Sequence, residues 1–155
     1  MPTSATVQPP PWCLFRSDSR PFAVALEAVA EVVQADRLIR LAHCPPQILG
    51  LCTVRRDIVP VLSLNPGESG AELDPETPVV VLVLRSDQGM WGVRIDREGT
   101  AVSDGVLSAS FPGEPTSEGA EVVGSVQRGD LAHAVIDPDR TWRNVRASVE
   151  AWYQR

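Results

Sequence analysis

From Trp12 onward the apolar residues come in short runs rich in Val, Leu and Ile, cut by polar clusters: "RSDSRP", "RRD", "NPGESGAELDPETP", "RSDQG" and "RGD". Such runs, punctuated roughly every ten residues by Gly, Pro, Asp and Ser, predict strands joined by tight turns in an all-β barrel or sandwich. The run "PVVVLVLR" at 78–85 is nearly all β-branched or Leu, as a strand buried on both faces requires. "SDQG" and "MWGVRID" follow, predicting a hairpin in which Gly89 is free to take positive φ. "EVVGSVQRGDLAHAVID" repeats the form, with Arg128, Gly129 and Asp130 at its turn. One long helix is predicted, over about 138–154, from an Asp cap, Pro138 in the first turn and Trp142, Val145, Val149 and Trp152 on one face. A stripe of this kind is expected to pack on its own domain.

Residues 1–11 are rich in Pro, Ser and Thr and read as a flexible, disordered tail, leaving 12–155 as a single domain. Within that domain the chain resembles itself. "LFRSDSRPFAVAL" (14–26) aligns with "VLRSDQGMWGVRI" (83–95), placing Phe22 on Trp91 and Ala23-Val24 on Gly92-Val93. "GLCTVRRDIVPVLSL" (50–64) resembles "GSVQRGDLAHAVID" (124–137) in the order Gly, charged turn, apolar strand. The pseudo-repeats run over about 12–66 and 78–140. Each is too small to build much of a core alone, so two small barrels leaning on one another are expected, with a groove between them as the binding surface.

Charge and composition narrow the function. A net charge of −6 and a pI near 4.9, with arginines scattered among acids, argue against nucleic-acid binding. No window is apolar enough for a membrane helix, and "MPTSATVQPPP" lacks the segments of a signal peptide, so a cytoplasmic location without membrane insertion is expected. The three cysteines, Cys13, Cys44 and Cys52, form no close C-x-x-C pair and read as buried free thiols rather than disulfides or zinc ligands.

Catalytic patterns are missing as well. His43 and His133 sit in no metal or nucleophile motif, and His133 reads as a partly exposed strand residue. The acids Glu68, Glu72, Asp74 and Glu76 cluster in a Pro/Gly-rich loop where solvation explains them. Arg128-Gly129-Asp130 spells an adhesion tripeptide but has a conformational explanation as a turn. No enzyme activity, metal or cofactor is expected.

One segment has an order of its own: "CPPQILGLCTVRRDIVPVLSL", 44–64. Pro45 and Pro46 predict an extended entry, and Gly50 leaves room for another backbone or helix. Arg55 and Arg56 should project from a turn toward solvent. Pro60 cannot donate to a ladder, which predicts an edge strand or a bulge there.

At these residues the chain resembles the CheW family of chemotaxis coupling proteins. That family's segment runs from a proline-containing entry through Gly and Val to Asn-Leu-Arg-Gly, then Ile-Val/Leu-Pro-Val and Asp-Leu. Here the matching residues are Pro45-Pro46-Gln47-Ile48-Leu49-Gly50-Leu51, Thr53-Val54-Arg55-Arg56, Asp57-Ile58-Val59-Pro60-Val61 and Ser63-Leu64. "PFAVALEAVAEVV" upstream and "PVVVLVLRSDQGMWGVRID" and "VVGSVQRGDLAHAVIDPDRTW" downstream extend the likeness over most of the chain.

The resemblance implies two intertwined five-stranded barrels with a C-terminal helix, forming a non-enzymatic adaptor. Its implied partners are a chemoreceptor's cytoplasmic tip and the regulatory domain of a CheA-type histidine kinase, with recruitment to membrane-associated receptor arrays. It implies a receptor groove at Val29, Glu31, Gly50, Val54 and Arg55, and kinase contacts at apolar barrel ends. An orphan CheW-like module serving a signalling or motility partner outside standard chemotaxis is the alternative. Thr53 stands where the family has Asn, Arg56 where it has the turn Gly, and Ser63 where it has Asp; Asp96-Arg97-Glu98-Gly99 replaces Val-Asp-x-Val. An arginine at positive φ is strained by roughly 1 kcal/mol, so either the turn type differs or Asp57 helps to hold it.

Overall fold

The computed structural model describes residues 11–64, 78–108 and 121–154. Residues 1–10 of the predicted tail, the acids Glu68, Glu72, Asp74 and Glu76, and most of the two long loops lie outside these residues. Strands β1 (Trp12–Ser17) and β2 (Arg20–Ala25) form a hairpin, and a 3-10 turn (Leu26–Ala28) leads to β3 (Val29–Ala35). Further hairpins are β4 (Ile48–Val54) with β5 (Asp57–Leu62), and β6 (Val79–Ser86) with β7 (Gly89–Ile95). After β8 (Thr100–Ser103) and β9 (Leu107–Ser108) come the hairpin β10 (Val122–Arg128) and β11 (Leu131–Ile136), then α1 (Pro138–Tyr153).

These strands build two sheets, ordered β8-β1-β2-β11-β10-β9 and β3-β6-β7-β5-β4. Each sheet combines hairpins from both halves of the chain through one parallel pairing. Phe22 and Ala23 of β2 lie beside Ala134 and Val135 of β11. Gly92 and Val93 of β7 lie beside Val61 and Leu62 of β5. The β class and the interlocking agree with the expected architecture, but the ladders are open sheets of six and five strands, not closed five-stranded barrels. Connecting chain curls the first sheet instead: β8 and β9, at its opposite edges, are separated only by residues 104–106, which bounds the gap they span.

Alternation along the strands divides the apolar residues among three cores. In β6, Val79, Val81 and Val83 point into the curl of the second sheet with Cys52, Val54, Val59 and Val61. Leu82 and Leu84 point the other way, into the layer between the sheets with Phe15, Phe22, Trp91 and Ile136. This two-sided burial is why "PVVVLVLR" has no polar alternation. Trp12, Leu14, Ala23, Val126 and Val135 fill the curl of the first sheet. Helix α1 seals the middle layer: Val145 is buried in it, Trp142 and Val149 pack against it, and the Trp142 ring stacks on Trp91 at 6.4 Å. The Asp137 carboxylate caps the helix by accepting from the N–H groups of Asp139 and Arg140. At the far end Trp152 Nε1 donates to the His43 carbonyl, 2.8 Å away.

The turns explain several polar residues. Asp18 (φ 51°) and Ser19 (φ 67°) make the β1–β2 turn, and their N–H groups donate to the Asp96 carboxylate at 3.0 and 2.8 Å. Arg94 pairs with Asp18. Asp96, at the family departure after β7, therefore holds the first hairpin in a left-handed conformation. Gly129 (φ 61°) and Asp130 form the tight turn expected of Arg128-Gly129-Asp130.

Three expectations need correction. Pro45-Pro46 does not lead in as an extended segment: Ile48 N–H donates to the Pro45 carbonyl, closing a β-turn with Pro46 at its second position, where a fixed φ is favoured. Pro60 is not on an edge strand, because β5 lies between β7 and β4. It is tolerated because the β7 pairing begins only at Val61; the bulge lies not at Pro60 but in the partner strand, between Ile48 and Gly50, opposite Leu62 and Val61. Cys13 and Cys52 are buried free thiols, but Cys44 is only half-buried, with Sγ 3.4 Å from the Leu41 carbonyl.

Glycines sit at matching bulges in the two sheets, Gly50 in β4 and Gly124 in β10. A Cβ on Gly50 would lie 2.7 Å from the Ile39 carbonyl oxygen, and one on Gly124 would lie 2.1 Å from that of Ser108. Both contacts are to backbone, which cannot rotate away. Gly50→Ala and Gly124→Ala are each expected to lower unfolding free energy by about 1–3 kcal/mol, measured by urea denaturation.

Candidate functional site

The β4–β5 turn holds Arg55 at φ 49° and Arg56 at φ 79°. Positive φ at both central residues defines a turn whose twist matches the flanking strands, as in type I′ hairpins. The turn thus keeps a backbone suited to glycine while carrying two arginines. Asp57 is the first residue of β5, paired with Val54. Restoring a glycine is expected to relieve this strain: Arg56→Gly should raise stability by about 1 kcal/mol, seen as a higher urea midpoint at unchanged slope.

Arg55 reaches across the mouth of the second sheet, and its Nη2 lies 3.2 Å from Glu31 Oε2. The strands that carry them, β4 and β3, are the two edges of that sheet. The pair therefore closes the curl where no ladder does, above Ala30 and Val33 packed on the Cys52–Val54–Val59 cluster. With the Arg55 side chain 82% exposed, the ion pair contributes little to stability and its charged groups stay open to competition from solvent or a partner.

The other expected site residues serve from beneath. Val54 is buried at 4% exposure, and Gly50 is buried against Ile39 of the same chain. Val29 is half-buried at the start of β3, and its carbonyl accepts from Arg85 Nη1 at 2.8 Å. Between the sheets, where a groove was expected, the middle core fills the space. A cleft of about 260 Å³ remains beside the 3-10 turn, lined by residues such as Ala25, Glu27, Arg85 and Asp139 and by none of the five.

Apolar residues beside the turn were not singled out from the sequence. Ile58 is 67% exposed opposite Thr53, and Ile39 is 56% exposed, bridged to Leu51. The signal was present in the alternation of β5, where Val59 and Val61 face inward and Ile58 must face outward. His133 also differs from expectation: it is 6% exposed, on the inner side of β11, because its neighbour two residues on, Val135, faces the first sheet's interior. Burial, then the charges of Arg16 and Arg128, hold its pKa below the ordinary imidazole value, against the opposing effect of backbone carbonyls. Burial pushes the Cys13 and Cys52 thiols up, so both stay protonated and unreactive. No group of three or more His, Cys, Asp or Glu among the described residues could hold a metal ion.

Comparison with known proteins agrees with this architecture. A family model described as the CheW-like domain matches residues 11–105. A crystal structure of the scaffolding protein TtCheW from Thermoanaerobacter tengcongensis superposes with a TM-score of 0.70 at 16% identity, covering 91% of this chain and 92% of that one. At that identity the likeness is one of fold. Among curated protein sequences none matches the chain.

Proposed function

The chain belongs to the CheW-like domain family, and on that premise we propose that it is a non-enzymatic adaptor coupling a chemoreceptor's cytoplasmic tip to the regulatory domain of a CheA-type histidine kinase. The observation that carries the receptor half is the Arg55–Glu31 pair, with Arg55 82% exposed and Ile58 beside it at 67%. A receptor helix can lay an apolar stripe along Ile58 and Ile39 while its polar groups compete for Arg55 and Glu31, fixing register through charge-assisted contacts. Val29, Gly50 and Val54 act by holding β3 and β4 in place. The protein works in the cytoplasm at membrane-associated receptor arrays; no helix among the described residues is long and apolar enough to cross a membrane.

A second reading rests on the arginine at φ 79° where the family has glycine. An altered turn presents a second cation to the partner and suits an orphan CheW-like module that serves a signalling or motility partner outside standard chemotaxis. Pull-down with the organism's own receptor tips and CheA-type kinase separates the two. Adaptor function predicts capture of both at micromolar protein, whereas capture of neither contradicts it. Arg55→Ala and Glu31→Ala are expected to weaken receptor binding by about tenfold, as loss of one charge-assisted contact does, and kinase binding much less. Equal loss for both partners would contradict the placement of the receptor site.

A further inference from the structure

The two sheets finish differently at their mouths. The register places Ala101 of β8 opposite Leu14, where the second sheet has Glu31 opposite Val83. Gly129 opens the β10–β11 turn where Arg55 opens the β4–β5 turn. The first sheet thus lacks both members of the closing ion pair. Its mouth instead holds a cavity of about 370 Å³, with Leu14, Ala101 and Leu131 among its apolar lining. The register positions that hold the buried valines Val54 and Val59 in the second sheet hold Arg128, which is exposed, and His133 here.

His133 is more than nine-tenths buried, and its Nδ1 has no hydrogen-bond partner among the described residues. A buried ring nitrogen without a partner is costly, and the His133 ring forms part of the wall of this cavity. Arg16 and Arg128 line the same cavity, and neither is ion-paired to a described residue. Two arginines and a histidine thus line one cavity in a protein of net charge −6. Glu98 is the one acid among the described residues of the lining.

We propose that this mouth binds a small organic carboxylate, its body against Leu14, Ala101 and Leu131 and its oxygens among Arg16, Arg128 and His133. Arginine forks suit a carboxylate, and the apolar lining suits an attached carbon skeleton. Phosphate has no carbon skeleton to set against Leu14, Ala101 and Leu131, and Glu98 further disfavours its dianion. Charged groups face the imidazole from β1 (Arg16), from β10 (Arg128) and from the segment before β8 (Glu98). A bound carboxylate favours the imidazolium, raising the His133 pKa in the complex. Binding therefore takes up a proton and strengthens as pH falls.

The test is an NMR titration of the full chain with benzoate, benzamide and inorganic phosphate, following the His133 ring with exposed His43 as reference. Benzoate is expected to shift the His133 signals saturably and to bind more tightly as the pH is lowered, with benzamide and phosphate far weaker. Arg16→Gln and Arg128→Gln, both exposed and safe for folding, should each weaken benzoate roughly tenfold. No saturable shift, as in a pocket that holds only water, would overturn the site. Equal saturation by benzamide or by phosphate would overturn its assignment to carboxylates.

Discussion

Two parallel contacts hold the molecule together: Val135 beside Ala23, and Val61 beside Gly92. Each joins a hairpin from one half of the chain to a hairpin from the other, so neither sheet exists without both halves. Both contacts require a small residue on the central strand. Ala23 is wholly buried, and a Cβ on Gly92 would lie 2.5 Å from Val81 Cγ1 inside the second sheet. Small residues there let inner-facing valines from neighbouring strands meet above the strand, which is how a tightly curled sheet fills its interior.

The rest follows from that exchange. Because the hairpins are shared, the outer faces of the two sheets are pressed together and form a third core, larger than either interior and capped by α1 through Trp142, Val145 and Val149. Trp91 and Trp142 stack in it without a hydrogen-bond partner for either indole nitrogen among the described residues, a penalty offset by the apolar area they bury. The interiors themselves stay small and end in mouths. One mouth is drawn shut by Glu31 and Arg55, leaving an exposed charged pair on a stiff hairpin. The other lacks that pair and stays open over His133. Similar frames thus carry two chemically different ends.

Much of the fold was legible because it rests on local rules. The hairpin turns, the capped helix and the doubly buried β6 each follow from a pattern within one segment. The self-resemblance that aligned Ala23 with Gly92 fell on the two central strands of the exchange, although alignment alone could not say that the hairpins trade places. Strain at Arg56 follows from the family resemblance, which puts glycine there, only if the turn keeps its backbone; the positive φ at Arg56 shows that it does. What escaped depends on pairing across distance. Pro46 was read as an extended entry because a Pro-Pro dipeptide fits both that and a turn. His133 looked half-exposed because a strand's facing is set by its partners, and the parallel contact with β2 decides it. The Glu31–Arg55 contact needed the curl that brings the two edges of one sheet together.

The shared hairpins make the two sheets one rigid body. Native-state hydrogen exchange tests this most directly. The amides of β2 and β11 in one sheet and of β5 and β7 in the other should open with the same free energy and the same denaturant dependence, in a single global unfolding. Exchange of one sheet's central amides at a distinctly lower free energy, with the other still protected, would show two separable units and contradict the account.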